Sequence, residues 1–157
     1  MGSVAEISEL LIDTCYQLDA GALISKLSWD WNSRFTSRMG DASWPAAVIR
    51  LSSPLWPRAS IRDRRETVIH ELCHLVTGFK YGTMDGHGPR WQSLMIDAGC
   101  RPARRHQVCN RGLVHRVRAI CDCQVHEITS RRAAMIERGD RVWVCRSCRV
   151  SLAVEER

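Results

Sequence analysis

Several features that a sequence of this length often carries are missing here. No apolar run approaches the roughly 20 residues a helix needs to cross a bilayer, so no membrane partner is expected. The opening Met1-Gly2-Ser3-Val4-Ala5-Glu6 has neither the basic nor the apolar stretch of an export signal, and a cytoplasmic location is expected. There is no internal repeat and no low-complexity segment. Eight cysteines among 157 residues are too sparse for a disulfide framework. Four of them crowd into two short clusters near the C-terminus, which points to metal-bound thiolates in a reducing compartment. What is present, 45% hydrophobic and 25% charged residues, excludes wholesale disorder and suits one folded domain with a small appendage.

Lysine is also absent from residues 101–157, where 13 Arg face 6 Asp+Glu for a net charge of +7. Residues 1–100 carry a net −1, so the whole positive excess of the chain lies in its last third. Such a patch is an electrostatic footprint for a polyanion, and Arg favours bidentate phosphate contacts and stacking on bases. A basic surface that merely keeps the protein soluble is the plainer explanation of the same composition.

Periodicity outlines the elements. Ile7, Leu10, Leu11, Thr14 and Leu18 recur at helical spacing over 4–20, with Gly21 as a stop. Leu27, Trp29 and Trp31 alternate as in a half-buried strand. Asn32-Ser33-Arg34 and Met39-Gly40-Asp41 read as turns, and 46–51 as a second strand closed by Ser52-Ser53-Pro54. Ser60 followed by Asp63 forms a capping box for a helix through about Thr77, stopped by Gly78. Pro89 opens another helix with Trp91, Leu94, Met95 and Ala98 on one face and Gly99 at its end. Residues 101–112 are basic and weakly patterned, so a domain boundary is placed there. Beyond it, strand-like runs at 113–120, 141–144 and 150–154 alternate with the cysteines.

One helix carries His70-Glu71-Leu72-Cys73-His74, an H-E-x-x-H pattern. Residues i and i+4 share a helix face, so both imidazoles can reach one ion, with Glu71 beside them to take a proton from water. Zinc catalysis requires a third protein ligand and an open position. His87 is the candidate, because the flanking Gly86 and Gly88 permit a sharp turn and Pro89 anchors the imidazole to the next helix. His106 and His115 lie among arginines and are expected to be solvated or to contact phosphate. Trp29, Trp31 and Trp91 are expected in the core, and Trp143 across the C-terminal module.

Cys121-Asp122-Cys123-Gln124-Val125-His126 precedes Cys145-Arg146-Ser147-Cys148 by about twenty residues, the spacing of a zinc ribbon. Cys145 and Cys148 form one knuckle. For the other, Cys123 with His126 is preferred because C-x-C makes a cramped chelate, with Cys121 as the alternative ligand. Cys15, Cys73, Cys100 and Cys109 are expected to be ordinary semi-buried thiols.

Taken in order, Trp31-Asn32-Ser33-Arg34, Met39-Gly40, Ile49-Arg50-Leu51-Ser52, His70–His74 and Gly86-His87-Gly88-Pro89-x-Trp91 resemble the SprT-like metalloprotease domain. The tail, with Arg131-Arg132 between its cysteine clusters, is similar to the zinc ribbon of bacterial SprT proteins. Together the likeness covers about residues 5–155. It implies an α+β fold, with a zincin-like metalloprotease core of helices on a small sheet over 1–112 and a zinc ribbon over 113–157. It also implies a catalytic zinc on His70, His74 and His87, Glu71 as general base, and a ribbon that contacts DNA. The family's eukaryotic relative, Spartan, degrades proteins crosslinked to DNA.

The function expected is therefore that of a zinc-dependent endopeptidase acting on DNA-bound or DNA-crosslinked proteins. It would hold two zinc ions, one catalytic and one structural. Arg131, Arg132, Arg146 and Arg149 would meet the phosphates, with single-stranded DNA preferred and the protein monomeric and nucleoid-associated. Tyr81 and Arg34 are candidate donors to the substrate carbonyl. The alternatives are a non-catalytic DNA-binding or regulatory zinc protein and, less readily, a zinc hydrolase of small substrates.

Overall fold

Serine hydroxyls start the two longest helices. Ser3 accepts from the Glu6 amide at 3.2 Å while the Glu6 carboxylate takes the Ser3 amide at 2.9 Å, opening α1 (Val4–Gln17). The Ser60–Asp63 box expected from the sequence opens α2 (Ile61–Tyr81) in the same way, at 3.1 and 3.3 Å. The computed structural model describes residues 3–104 and 108–155 and is α+β. Its chain gathers into two units, Met1–Asn110 and Arg111–Arg157.

In the first unit β1 (Ser28–Asn32) lies parallel to β3 (Val48–Ser52), and β2 (Gly40–Ser43) runs antiparallel along the other side of β3. Here Met39-Gly40-Asp41 is not the turn that its composition suggests. Gly40 instead begins β2, pairing with Leu51. Helix α2 packs against α1, β2, β3 and α3 (Pro89–Asp97). Apolar residues from every side close around it: Ile7 and Leu11 of α1, Ile49 and Leu51 of β3, Leu94 and Met95 of α3. From Thr67 to Gly78, every α2 residue except His70 is buried.

The helix also runs a turn further than the sequence suggests. Gly78 does not stop it; the stop is Gly82, at φ 77°, whose amide bonds to the Gly78 carbonyl at 2.8 Å. Gly78 is required for another reason, since a Cβ there would lie 2.6 Å from Cγ of Trp44. The glycine lets an indole rest directly on the helix backbone.

In the second unit β4 (Arg116–Ile120) and β5 (Val125–Thr129) form a hairpin, with β6 (Ala153–Val154) on the far side of β4. Thr129 caps α4 (Ser130–Glu137), its hydroxyl accepting from the Arg132 amide at 3.3 Å. Strand β5 and helix α4 were not anticipated, and the expected strand at 141–144 is reduced to one bridge, Val144 with Ser151. The core here is small: Ala119, Ile128, Ala133, Cys145 and Leu152. No helix among the described residues is long and apolar enough to cross a membrane.

Candidate metal centres

Successive turns of α2 bring the Nε2 atoms of His70 and His74 to 3.3 Å from each other, and His87 places its Nε2 3.1 Å from that of His70. All three donors lie within 4.8 Å of one another. An ion bound to nitrogen at about 2.0–2.1 Å in tetrahedral geometry separates its ligands by about 3.4 Å, so the set is of the size zinc requires. Among the described residues no fourth His, Cys, Asp or Glu donor joins the group.

The loop that presents His87 is braced from both ends. Gly86 adopts φ 62°, and a Cβ on Gly88 would meet the Asp85 carboxylate at 2.6 Å. The same carboxylate accepts from the Arg90 amide at 3.2 Å, and Gln92 donates its side-chain amide to the His87 carbonyl at 2.8 Å. Trp91, fully buried, forms the floor beneath the three rings. Its indole stacks on His74 with centroids 5.4 Å apart, meets His70 and His87 edge-on, and donates Nε1–H to the His70 carbonyl at 3.2 Å. Burial above all, then the neighbouring His87, pulls the His74 imidazole down to about 4. Burial and then Arg104 lower His87. Both rings are therefore held in the neutral form that binds a metal.

Glu71 points off the same helix into the packing against β2 and is 7% exposed. Gly40 makes this possible: a Cβ there would meet Glu71 Cγ at 3.0 Å. Burial pushes the Glu71 carboxyl up to about 8, Asp41 adds to the rise, and Arg38 opposes it. Helix α2, β2 and the segment after α3 enclose a cleft of about 920 Å³ onto which His70, Glu71, His74 and His87 all open. Gly40, Asp41 and Arg38 were missed by the sequence reading; only Gly40 stood in the motif quoted there. Tyr81 and Arg34 do not line this cleft; the Tyr81 ring instead lies beneath the Arg90 guanidinium, 4.3 Å away.

In the second unit Cys121, Cys123, Cys145 and Cys148 bring their sulfurs within 4.8 Å of one another. Tetrahedral zinc–sulfur bonds of about 2.3 Å imply sulfurs about 3.8 Å apart. Cys121 and Cys123 stand 3.6 Å apart, and Cys123 and Cys145 3.7 Å. The preferred pairing of Cys123 with His126 gives way to the alternative, Cys121. C-x-C is not cramped here because the β4–β5 turn, closed by the Cys121 amide on the Gln124 carbonyl at 3.2 Å, splays the two thiols towards one point. His126 sits beside the set, Nε2 3.3 Å from the Cys121 sulfur. Hydrogen bonds from the Cys148 and Ser147 amides pull the Cys145 thiol down to about 5, making it a thiolate at neutral pH.

The remaining expectations fall as follows. Arg131 and Arg132 are exposed on the first turn of α4, with the Arg132 guanidinium 5.5 Å over the half-buried Trp143 ring. Arg146 and Arg149 are exposed around the Cys145–Cys148 knuckle. Cys15, Cys73 and Cys100 are buried, whereas Cys109 is exposed. Trp29 and Trp31 are half-buried, edge-to-face at 5.4 Å. His115 is exposed, its Nδ1 2.7 Å from the Ser130 hydroxyl, and His106 lies outside the described residues.

Fold and site together define an α+β protein with two candidate metal centres, a three-histidine group on a buried helix and a four-cysteine group, both compatible with zinc. Comparison with known proteins agrees. The model of the SprT-like family matches residues 8–111, and this chain belongs to that family. Protein SprT of Pasteurella multocida is 32% identical over 109 residues, 68% of this chain and 66% of that one. Protein SprT of Escherichia coli O9:H4 is 33% identical over 111 residues, covering 69% and 67%. That of Pectobacterium atrosepticum is 36% identical over 88 residues, covering 53% and 50%. The chain thus spans between half and two thirds of the length of these relatives.

Proposed function

We propose that this protein is a zinc-dependent endopeptidase with a zincin-like catalytic unit, acting on DNA-bound or DNA-crosslinked proteins. The observation that carries the reading is the convergence of three imidazole nitrogens beside a buried carboxylate, on an open cleft. His70, His74 and His87 would hold the zinc, which when bound supplies Lewis acidity to water and to the scissile carbonyl. Glu71 takes the proton of the attacking water and returns it to the leaving amine. Its burial suits that role: a carboxyl raised towards neutral pH can both accept and release a proton, and a nearby dication would draw its pKa back down. The Trp91 floor and the braced His87 loop hold the imidazoles in place while this happens.

The four cysteines would hold a second, structural zinc in the ribbon. Arg131, Arg132, Arg146 and Arg149 would grip phosphates and keep the protease beside proteins on single-stranded DNA, consistent with the net +7 of residues 101–157. The test is to incubate the purified protein with a DNA-bound protein, with and without single-stranded DNA and a chelator. Cleavage should require both metal and DNA. Glu71→Gln should reduce it by about 10²–10⁴-fold while zinc content stays the same; undiminished cleavage would remove Glu71 as the base. DNA affinity should fall steeply with salt, and a flat response would remove the electrostatic part of the reading.

A further inference from the structure

The charged side chains lining the cleft are unequally matched. Its carboxylates are already engaged. Asp41 is held at both oxygens by Arg50, at 2.7 and 3.0 Å. Glu66 is paired with Arg62 at 2.7 Å. Asp63 is bound to the Ser60 hydroxyl at 2.6 Å in the helix cap. Glu71 is buried as the proposed base.

The guanidiniums are different. Arg38 rests on the Phe35 ring, 4.0 Å from its centroid, and reaches Asp41 through one nitrogen at 3.3 Å, on a carboxylate that Arg50 already grips. Its side chain is 57% exposed and lines the cleft. Arg101 and Arg104, on the segment after α3, are exposed, line the cleft and have no ion pair among the described residues.

We infer that Arg38, Arg101 and Arg104 are specificity-determining residues, and that the cleft selects peptide segments with an acidic side chain close to the scissile bond. An extended peptide crossing the metal centre would run between Arg38 on the β2 side and Arg101 and Arg104 on the other. A Glu or Asp there gains an ion pair with an under-used guanidinium, whereas a Lys meets like charge. Among the described residues Asp41, Asp63 and Glu66 already have partners within the protein. This inference rests on the peptidase reading and narrows its substrate.

The experiment compares three peptides that differ at a single position, scanned along each side of the scissile bond, carrying Glu, Gln or Lys. With single-stranded DNA present, the zinc-loaded wild type should show a kcat/KM for the Glu peptide about tenfold above that for the Lys peptide at its best position, shrinking as salt rises. Arg101→Gln with Arg104→Gln, or Arg38→Gln, should bring the ratio towards one, and Arg104→Glu should invert it if the residue lies across from that position. A wild-type ratio within twofold of one at every position overturns the inference while leaving the peptidase reading intact. So does a ratio that none of the variants changes. If the Gln variants instead weaken binding of a single-stranded oligonucleotide and the peptide ratio is flat, the cations serve phosphates and the inference is wrong. If no peptide is cut with both zinc and single-stranded DNA present, the peptidase reading fails and the inference with it.

Discussion

The two metal centres stand on different foundations. The histidine site is set into a wall of packed side chains: α2 is buried along most of its length, Trp91 is fully enclosed, and Ile7, Ile49, Leu51 and Met95 close the unit around it. The cysteine site belongs to a unit whose buried residues are Ala119, Ile128, Ala133, Cys145 and Leu152, one of them itself a candidate ligand. Large apolar burial surrounds the three donors of the first site. The second site has four donors and little core, so there a bound metal would substitute for packing.

That contrast fails most visibly if the metals are removed. Cys145→Ser should unfold residues 111–157, because structural zinc contributes on the order of 10 kcal/mol in modules this small. His70→Gln should empty the histidine site yet leave residues 8–104 folded. Amide chemical-shift dispersion, recorded unit by unit during titration with a chelator, separates the outcomes. A second unit that stays ordered without metal would show that its few apolar residues suffice.

A smaller effect concerns the cost the first unit bears for its buried acid. The Glu71 carboxyl is raised to about 8 in the fold against an ordinary value of 4.5. Between those values the folded state holds a proton that the unfolded state has released, so stability must fall as pH rises from 4.5 to 8 and level off above. In metal-free protein, Glu71→Gln should therefore leave stability nearly unchanged at pH 4.5 and raise it by up to a few kcal/mol at pH 8. Urea denaturation at the two pH values measures it. Equal gains at both would mean that the carboxylate is better solvated than its 7% exposure implies.

Much of the histidine site was legible because its signals are local. Helical spacing puts His70 and His74 on one face, and glycines around His87 mark a turn whose need for small residues the Asp85 carboxylate explains. What was hidden is non-local. Met39-Gly40-Asp41 reads as a turn, yet pairing with β3 makes Gly40–Ser43 a strand, and its glycine lets Glu71 approach. That Cys121 groups with the other three cysteines was not the preferred expectation, for a related reason. The preference for His126 considered the reach of isolated dipeptides, whereas the β4–β5 hairpin, itself unforeseen, sets the direction of Cys121. Arg38 gave no signal at all, because its meaning comes from the Phe35 ring beneath it and the prior claim of Arg50 on Asp41.

The smallest of these effects tests whether packing, and not helix propensity, governs the first unit. Gly78 lies inside α2, where replacement by Ala would ordinarily stabilise a helix by up to about 1 kcal/mol. Here the new methyl would stand 2.6 Å from Trp44 Cγ and 2.7 Å from Cδ2, so the half-buried indole must lift off the helix. Overpacking of this kind costs about 1–3 kcal/mol, so Gly78→Ala should destabilise by roughly 1–2 kcal/mol on balance. Removing the obstacle reverses the sign: in a Trp44→Ala background the same change should stabilise, because only propensity then remains. Thermal melts of the four proteins form a double-mutant cycle, and a coupling energy near zero would mean that the indole moves away freely. In that case the close approach of Trp44 would be incidental, and the packing of α2 looser than the burial of Thr67 through Leu75 suggests.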